Sequence, residues 1–206
     1  MGMATSNIPE MADMVFALSG ETPSASYPFA LWSELLRLAP HLAEQELAGI
    51  VPLRLPASSA GTPLQRRAKM ILRLPSKLSD EISAHLSEQE VNVNGCQLRL
   101  GMGAKRALQA YPTIHAQMVA GINDEVSFMK NIHTQLSELG VSGNLICGKK
   151  YTLSDKQQVI HGFSLVIHDL KPEASLKLQY AGLGGSRQFG CGIFVPYKVI
   201  SGLSDD

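Results

Sequence analysis

Apolar residues fall in short blocks whose spacing changes from strand-like to helical and back. Met14-Val15-Phe16-Ala17-Leu18, closed by Ser19-Gly20, has the look of a buried strand. From Pro28 to His41 the spacing is helical. Phe29, Trp32, Leu35, Leu36 and Leu38–Ala39 share one face, Pro28 sits near the first turn and Pro40 marks the end. Ile50-Val51-Pro52-Leu53 reads as an edge strand, because Pro52 has no N–H for a ladder. Residues 56–65 form a Pro/Gly/Ser loop, Lys69 to Leu74 a strand, and Ser79 to Gln89 a helix. Asn94-Gly95 stands in hairpin position between Val91-Asn92-Val93 and Cys96-Gln97-Leu98-Arg99-Leu100. The order β-α-β-β-α-β is the split βαβ, ferredoxin-like unit.

A looser copy follows. Thr113 to Val119 alternates as a strand, and Asp124 to Leu139 is a helix capped by Asn123 or Asp124 and ended by Gly140. Asn144 to Gly148 and Val159 to His168 supply two strands, Lys171 to Tyr180 a shorter helix, and Ile193 to Tyr197 a closing strand. The pattern predicts an α+β protein of two tandem ferredoxin-like domains, residues 1–101 and 102–206, with no residue-level repeat between them.

Composition excludes several classes. In 206 residues, 45 % are hydrophobic and 17 % charged, which is too apolar for a disordered chain. No apolar run approaches the ~18 residues of a transmembrane helix, so no membrane partner is expected. Cys96, Cys147 and Cys191 stand far apart without a C-x-x-C pair, which points to a reducing cytoplasm and away from structural zinc. No histidine pair has metal-ligand spacing either, so neither metal nor cofactor is expected.

The balance of 18 basic and 18 acidic residues conceals segregation. Arg66, Arg67, Lys69, Arg73 and Lys77 form a run without an acid; Arg99, Lys105 and Arg106 form a second cluster, and Lys149–Lys150 a third. Each taken singly fits a solvated face. Together they point to a phosphate-tracking groove, and with only 6 % aromatic residues the backbone and shape of structured RNA suit it better than base stacking.

Residues 180–194 contain Gly182, Gly184, Gly185, Gly190 and Gly192 around Arg187. Such a loop lets backbone N–H groups approach a phosphate, or it spaces a tight connection. A dinucleotide site fails on context, because too little chain remains for a βαβ unit. The pattern Gly-Leu-Gly-x-x-Arg-x-x-Gly-Cys-Gly-Ile-Phe-x-Pro over 182–196 resembles the C-terminal motif of CRISPR-associated RAMP proteins. Within them it is most similar to the endoribonucleases that process precursor CRISPR RNA. Val15 to Gly20, Tyr27 to Trp32 and Leu98 to Gly101 are similar to the MYXAN-type subgroup, so the likeness extends over nearly the whole chain.

This resemblance implies two RRM-like domains facing each other and metal-independent cleavage. The upstream 2′-OH attacks the adjacent phosphate, leaving 2′,3′-cyclic phosphate and 5′-OH ends. It implies a catalytic histidine near the end of the first helix, with a tyrosine and a basic residue as helpers. His41, Tyr27 and Arg37 stand at those places, and an unperturbed pKa of about 6.5 suits histidine to base or acid work. The alternative for His41 is a helix-end histidine favoured by the dipole. The chain departs from the subgroup at Val51, where a second histidine is often found. The implied RNA contacts are Arg66, Arg67, Lys69, Lys105, Arg106, Lys149, Lys150, Gly182, Gly184, Gly185, Arg187 and Gly190. The implied partner is the CRISPR repeat hairpin and its crRNA product, with a place open in a Cascade-like effector complex. Two rivals stand beside this reading: a RAMP subunit that only binds or caps crRNA, and a ferredoxin-like enzyme that takes a nucleotide in the glycine loop.

Overall fold

The computed structural model describes residues 8–55 and 60–197; the first part of the Pro/Gly/Ser loop, residues 56–59, lies outside them. The first sheet is built from β1 (Met11–Gly20), β2 (Gly49–Val51), β3 (Lys69–Pro75), β4 (Glu90–Val93) and β5 (Cys96–Ala107), in the order β2-β3-β1-β5-β4. Every neighbouring pair is antiparallel. Helices α1 (Tyr27–Leu38) and α2 (Ser79–Leu86) cover one face. They place Leu31, Leu35, Ile82 and Leu86 against Phe16, Met70, Leu72 and Leu100. This is the ferredoxin-like order, with β4 added at the edge through its hairpin with β5. Its turn, Asn94 and Gly95 at φ of +53° and +89°, has the left-handed pair that a two-residue hairpin requires.

The second sheet repeats the order without the extra strand: β7 (Asn144–Ser154), β8 (Val159–His168), β6 (Ile114–Ala120) and β9 (Val195–Pro196). Helices α3 (Glu125–Leu139) and α4 (Pro172–Ala181) bury Phe128, Ile132 and Leu178 against Ile114, Phe163 and Leu165. The cap of α3 is Asp124, whose carboxylate accepts the Ser127 N–H at 2.8 Å, and Gly140 at φ +63° ends the helix.

Several boundaries differ from the sequence pattern: β7 runs to Ser154 rather than Gly148, α2 ends at Leu86 rather than Gln89, and three further differences have a clear cause. The strand expected to end at Leu100 continues to Ala107, so the division after residue 101 falls inside β5. Helix α1 stops at Leu38 rather than running to His41. Ala39 precedes Pro40 and takes the extended backbone (φ −135°, ψ 78°) that such a position favours, and a 3₁₀ turn, Pro40–Glu44, follows. The closing strand shrinks to Val195–Pro196 because Gly190 and Gly192, at φ of +89° and +66°, bend the chain before it.

The two halves meet on a buried charge. Asp13 on β1 pairs in register with Arg73 on β3 and Arg106 on β5, on the face turned away from α1 and α2. Its carboxylate accepts from Arg73 Nε at 2.8 Å and from Arg106 Nη2 at 3.0 Å. Arg73 is 1 % exposed, and its Nη1 donates across to the carbonyls of Phe194 (2.6 Å) and Gln179 (3.4 Å). Asp13→Ala leaves that guanidinium without its counter-charge, and a loss of about 3–5 kcal/mol is expected in denaturant unfolding. Arg106, itself largely exposed, is the control: Arg106→Ala should cost no more than about 1 kcal/mol. Equal losses in the two variants would place the anchor elsewhere.

Candidate active site

The chain between α1 and β2 carries His41 on the 3₁₀ turn, with Leu42 buried beneath it as anchor. His41 is exposed, and its ring has no hydrogen-bond partner among the described residues. Of the other histidines, His85, His161 and His168 bond to Glu81 O, Thr152 and Asp169, and His115 is half-buried on β6; His133 is exposed and unpartnered among the described residues like His41, but lies on α3 in the other half.

Arg37 lies one turn before His41 and is held by Glu34, whose carboxylate accepts from Nε and Nη2, each at 3.0 Å. Glu34 also accepts the Asn92 N–H at 3.0 Å, which ties α1 to β4, and the Arg37 contact holds its carboxyl below the usual range. An exposed pair of this kind is worth little, so Arg37 can exchange Glu34 for a phosphate.

Tyr27 does not share this opening. Its ring is buried and its hydroxyl accepts the Leu53 N–H at 2.7 Å. Burial pushes the phenol up to about 12, against the smaller opposing pull of that hydrogen bond. Expected as a catalytic helper, Tyr27 instead pins the chain leaving β2 to the start of α1, because its one polar atom is buried and already engaged.

The glycine segment docks on this same region. Phe189 packs on Phe29 of α1 with ring centroids 4.6 Å apart, and Arg187 Nε donates to Leu47 O at 3.0 Å. Arg187 is 4 % exposed, and its Nη1 and Nη2 have no partner among the described residues. Burial first, and the charge of Arg73 second, push its guanidinium down to about 9. Expected to contact RNA, Arg187 is enclosed by the fold and acts as a clasp between the segment and Leu47, just before β2.

The glycines are divided as well. A Cβ on Gly182 would collide with Arg187 Nη1, and one on Gly184 with Ala120 O. The Gly184 N–H is already donated to Gln135 Oε1 at 2.8 Å, and the Gly190 N–H to Arg187 O at 2.9 Å. These three serve close packing, whereas Gly185 is exposed with nothing within 4 Å of a built Cβ.

Of the basic clusters, Arg66, Arg67 and Lys69 are exposed at the entry to β3 and form no ion pair among the described residues. Lys105 Nζ donates to Ser76 O at 2.9 Å and Arg106 to Asp13, so this cluster is partly engaged. Lys149 and Lys150 lie on β7, the outer strand of the second sheet, away from His41's sheet, and Lys150 acts on Asp124. The basic clusters thus do not converge on one place.

Sequence reasoning misses the Asp13–Arg73 pair and the Tyr27–Leu53 anchor. An acid alone in an apolar strand, Asp13 among Met11, Ala12 and Met14, is the available signal for the first. Among the described residues, no three His, Cys, Asp or Glu side chains gather as metal ligands. The three cysteines are unpaired, and no described helix is long and apolar enough to cross a membrane.

Two tandem ferredoxin-like sheets joined by a glycine-rich C-terminal segment define the class of RAMP proteins. "An RAMP protein binding different RNA substrates" shares the fold with a TM-score of 0.62 at 11 % identity, covering 89 % of this chain and 98 % of that one. "CRISPR associated protein Cas6" gives 0.64 at 10 % identity, over 92 % of this chain and all of that one. The family model described as Cas6 Crispr matches residues 12–199, and the chain belongs to the Cas6 family. The CRISPR-associated endonuclease Cas6 of Myxococcus xanthus (strain DK1622) is 29 % identical over 192 residues, 92 % of this chain and 83 % of that protein.

The crowding at Gly182 yields a direct test. Gly182→Ala adds a Cβ at φ +69° against Arg187, and a loss of about 1–3 kcal/mol is expected in thermal unfolding. Gly185→Ala, in open space, should stay within about 0.5 kcal/mol of the parent. A folded Gly182→Ala protein of parental stability would remove the clasp.

Proposed function

We propose that this protein binds CRISPR repeat RNA and cleaves precursor crRNA without a metal ion, with His41 at the reacting phosphate. The observation that carries the reading is an exposed imidazole, unengaged among the described residues, on the 3₁₀ turn that follows α1. The family membership and the endonuclease relative support the coarser part of this reading, a CRISPR-associated nuclease.

The imidazole of His41 takes the proton of the upstream 2′-OH. That oxygen attacks phosphorus, the bond from phosphorus to O5′ breaks, and the leaving oxygen is protonated to a 5′-OH. The product is a 2′,3′-cyclic phosphate. Arg37, released from Glu34, offers two N–H donors to the charged phosphorane. Tyr27 is kept to an anchoring role. Arg66, Arg67 and Lys69 hold the RNA backbone, Gly185 is the glycine open to it, and Lys105, Arg106, Lys149 and Lys150 are secondary contacts. Retention of the cleaved crRNA, and a place in a Cascade-like effector complex, extend the proposal. Three unpaired thiols suit a reducing cytoplasm.

The testing experiment is cleavage of labelled repeat RNA in excess EDTA, beside the same RNA with one 2′-deoxy nucleotide at the scissile position. The ribose substrate should be cut and the deoxy substrate bound but left intact. His41→Ala should lower the rate by about 10²–10⁴ with affinity within a few fold. Normal cutting of the deoxy strand would exclude internal attack, and a parental rate in His41→Ala would exclude this histidine.

The basic run has its own readout. Replacing Arg66, Arg67 and Lys69 together by alanine should weaken binding and lower the salt slope by roughly 0.7–0.9 for each phosphate left unneutralised. An unchanged slope would return the cluster to a solvated surface.

A further inference from the structure

We propose that Glu34 is a positioning residue that withholds Arg37 from a bound phosphodiester and yields it to the more highly charged phosphorane. This rests on the reading of the protein as a nuclease with Arg37 at the reacting phosphate. It gives a role in the reaction to a carboxylate that this reading merely sets aside.

Of the pair, the carboxylate is fixed and the cation is not. Glu34 Oε1 accepts from Arg37 Nε and Oε2 from Arg37 Nη2, each at 3.0 Å. Oε2 also accepts the Asn92 N–H of β4 at 3.0 Å. The hairpin carrying Asn92 is secured in turn, because Asn94 Nδ2 donates to Ser24 Oγ at 3.3 Å and Ser26 Oγ at 3.2 Å, just before α1. Glu34 is accordingly well enclosed, with its side chain 20 % exposed. Arg37 has no second hold. Its side chain is 56 % exposed, and Glu34 is its one polar partner among the described residues. Arg37 is therefore the part that moves, and the carboxylate keeps a donor when it goes.

Charge decides when it goes. A phosphodiester offers a guanidinium one negative charge spread over two oxygens, and a carboxylate offers the same. Between equal charges the carboxylate has the advantage, since it stands three residues away on the same helix and is already in place. The joined pair is neutral, so a diester beside it meets little net attraction. The Arg37 contact first, and the Asn92 N–H with it, hold the Glu34 carboxyl below its usual range, so the pair persists at neutral pH. As the deprotonated 2′-oxygen bonds to phosphorus, a second negative charge gathers on the phosphorane oxygens. Arg37 then gains more from those oxygens than from Glu34, and the fork changes partner. A contact made in the transition state and withheld from the ground state raises kcat without tightening the substrate.

The test combines two measurements on the parent, Arg37→Ala, Glu34→Gln and the double variant. One is Kd for repeat RNA with a 2′-deoxy nucleotide at the scissile position; the other is single-turnover cleavage of the ribose RNA. Gln keeps an oxygen for the Asn92 N–H, and unfolding curves confirm that each variant is folded. With Glu34 present, Arg37→Ala should slow cleavage at least about tenfold and leave Kd within about twofold. Glu34→Gln should tighten Kd about two- to fivefold and leave the cleavage rate within about twofold. In the Glu34→Gln background, Arg37→Ala should reverse that tightening. Glu44→Gln, an exposed acid on the following 3₁₀ turn, reports the general loss of negative charge and should move Kd less. A tightening that survives Arg37→Ala, or a parental Kd in Glu34→Gln, would overturn the proposal. Weakened binding in Arg37→Ala with Glu34 intact would do so too, because Arg37 would already be in use in the ground state. If the parent leaves the ribose RNA uncut, the nuclease reading falls and the role of Glu34 with it. If the parent cuts and the two positions show no coupling in Kd, only the role of Glu34 falls.

Discussion

A guanidinium that is 1 % exposed governs how this chain closes. Arg73 sits on the face of the first sheet that neither α1 nor α2 covers, where a single charge out of water carries a penalty of several kcal/mol unless it is surrounded by acceptors. Asp13 supplies the carboxylate from the neighbouring strand. The remaining acceptors are carbonyls of Gln179 and Phe194, which belong to the other half. The two sheets are therefore joined by the solvation of one cation as well as by apolar contact. Arg187 repeats the device less completely, with one bond to Leu47 O and the charge of Arg73 acting on it. Gly182 follows from this, since a Cβ there would strike the Arg187 guanidinium, and Gly49 lets β2 lie against the main-chain carbonyl of the same residue. The glycine segment is shaped around a buried arginine and docks on the start of β2.

The cations thus sort into two populations. Arg73 and Arg187 are buried and hold the halves together, while Arg54, Arg66, Arg67 and Lys69 are exposed without an ion pair among the described residues. Arg37 and Arg106 lie between, each borrowed by a carboxylate at 3.0 Å and accessible to solvent. A count of basic residues in a sequence cannot separate these groups. Their surroundings do, because a group already bonded must give up a partner before it can bind a phosphate.

The sequence is legible where local rules govern. The Asn94-Gly95 hairpin, the Asp124 cap and Gly140 stop of α3, and the order of elements in both halves follow from spacing and turn chemistry, and the sheet orders agree with them. Apolar spacing alone carries α1 too far, because it ignores the extended backbone that Pro40 imposes on the residue before it. Element ends near residues 101 and 193 escape the pattern because ladder partners extend β5, and the left-handed glycines at 190 and 192 delay the start of β9. The site is legible in part. His41 is accessible as expected, whereas the roles expected of Tyr27 and Arg187 need solvent that neither meets. Their burial arises from contacts at long separation, Tyr27 with Leu53 and Arg187 with Leu47, which no window along the chain reveals.

The distance along the chain between Arg73 and its carbonyl partners also bears on how the protein is made. Gln179 and Phe194 lie 106 and 121 residues beyond it. During synthesis the first sheet can form with Asp13 already beside Arg73, yet its uncovered face stays wet until the last strand has been made. Contacts of such separation form late and slowly, because a long loop must close before they are rewarded. The half-made protein therefore presents a folded first sheet whose Arg73 still lacks its carbonyl partners. The closing segment supplies the Phe194 carbonyl and buries Arg187 in the same step that seals the fold.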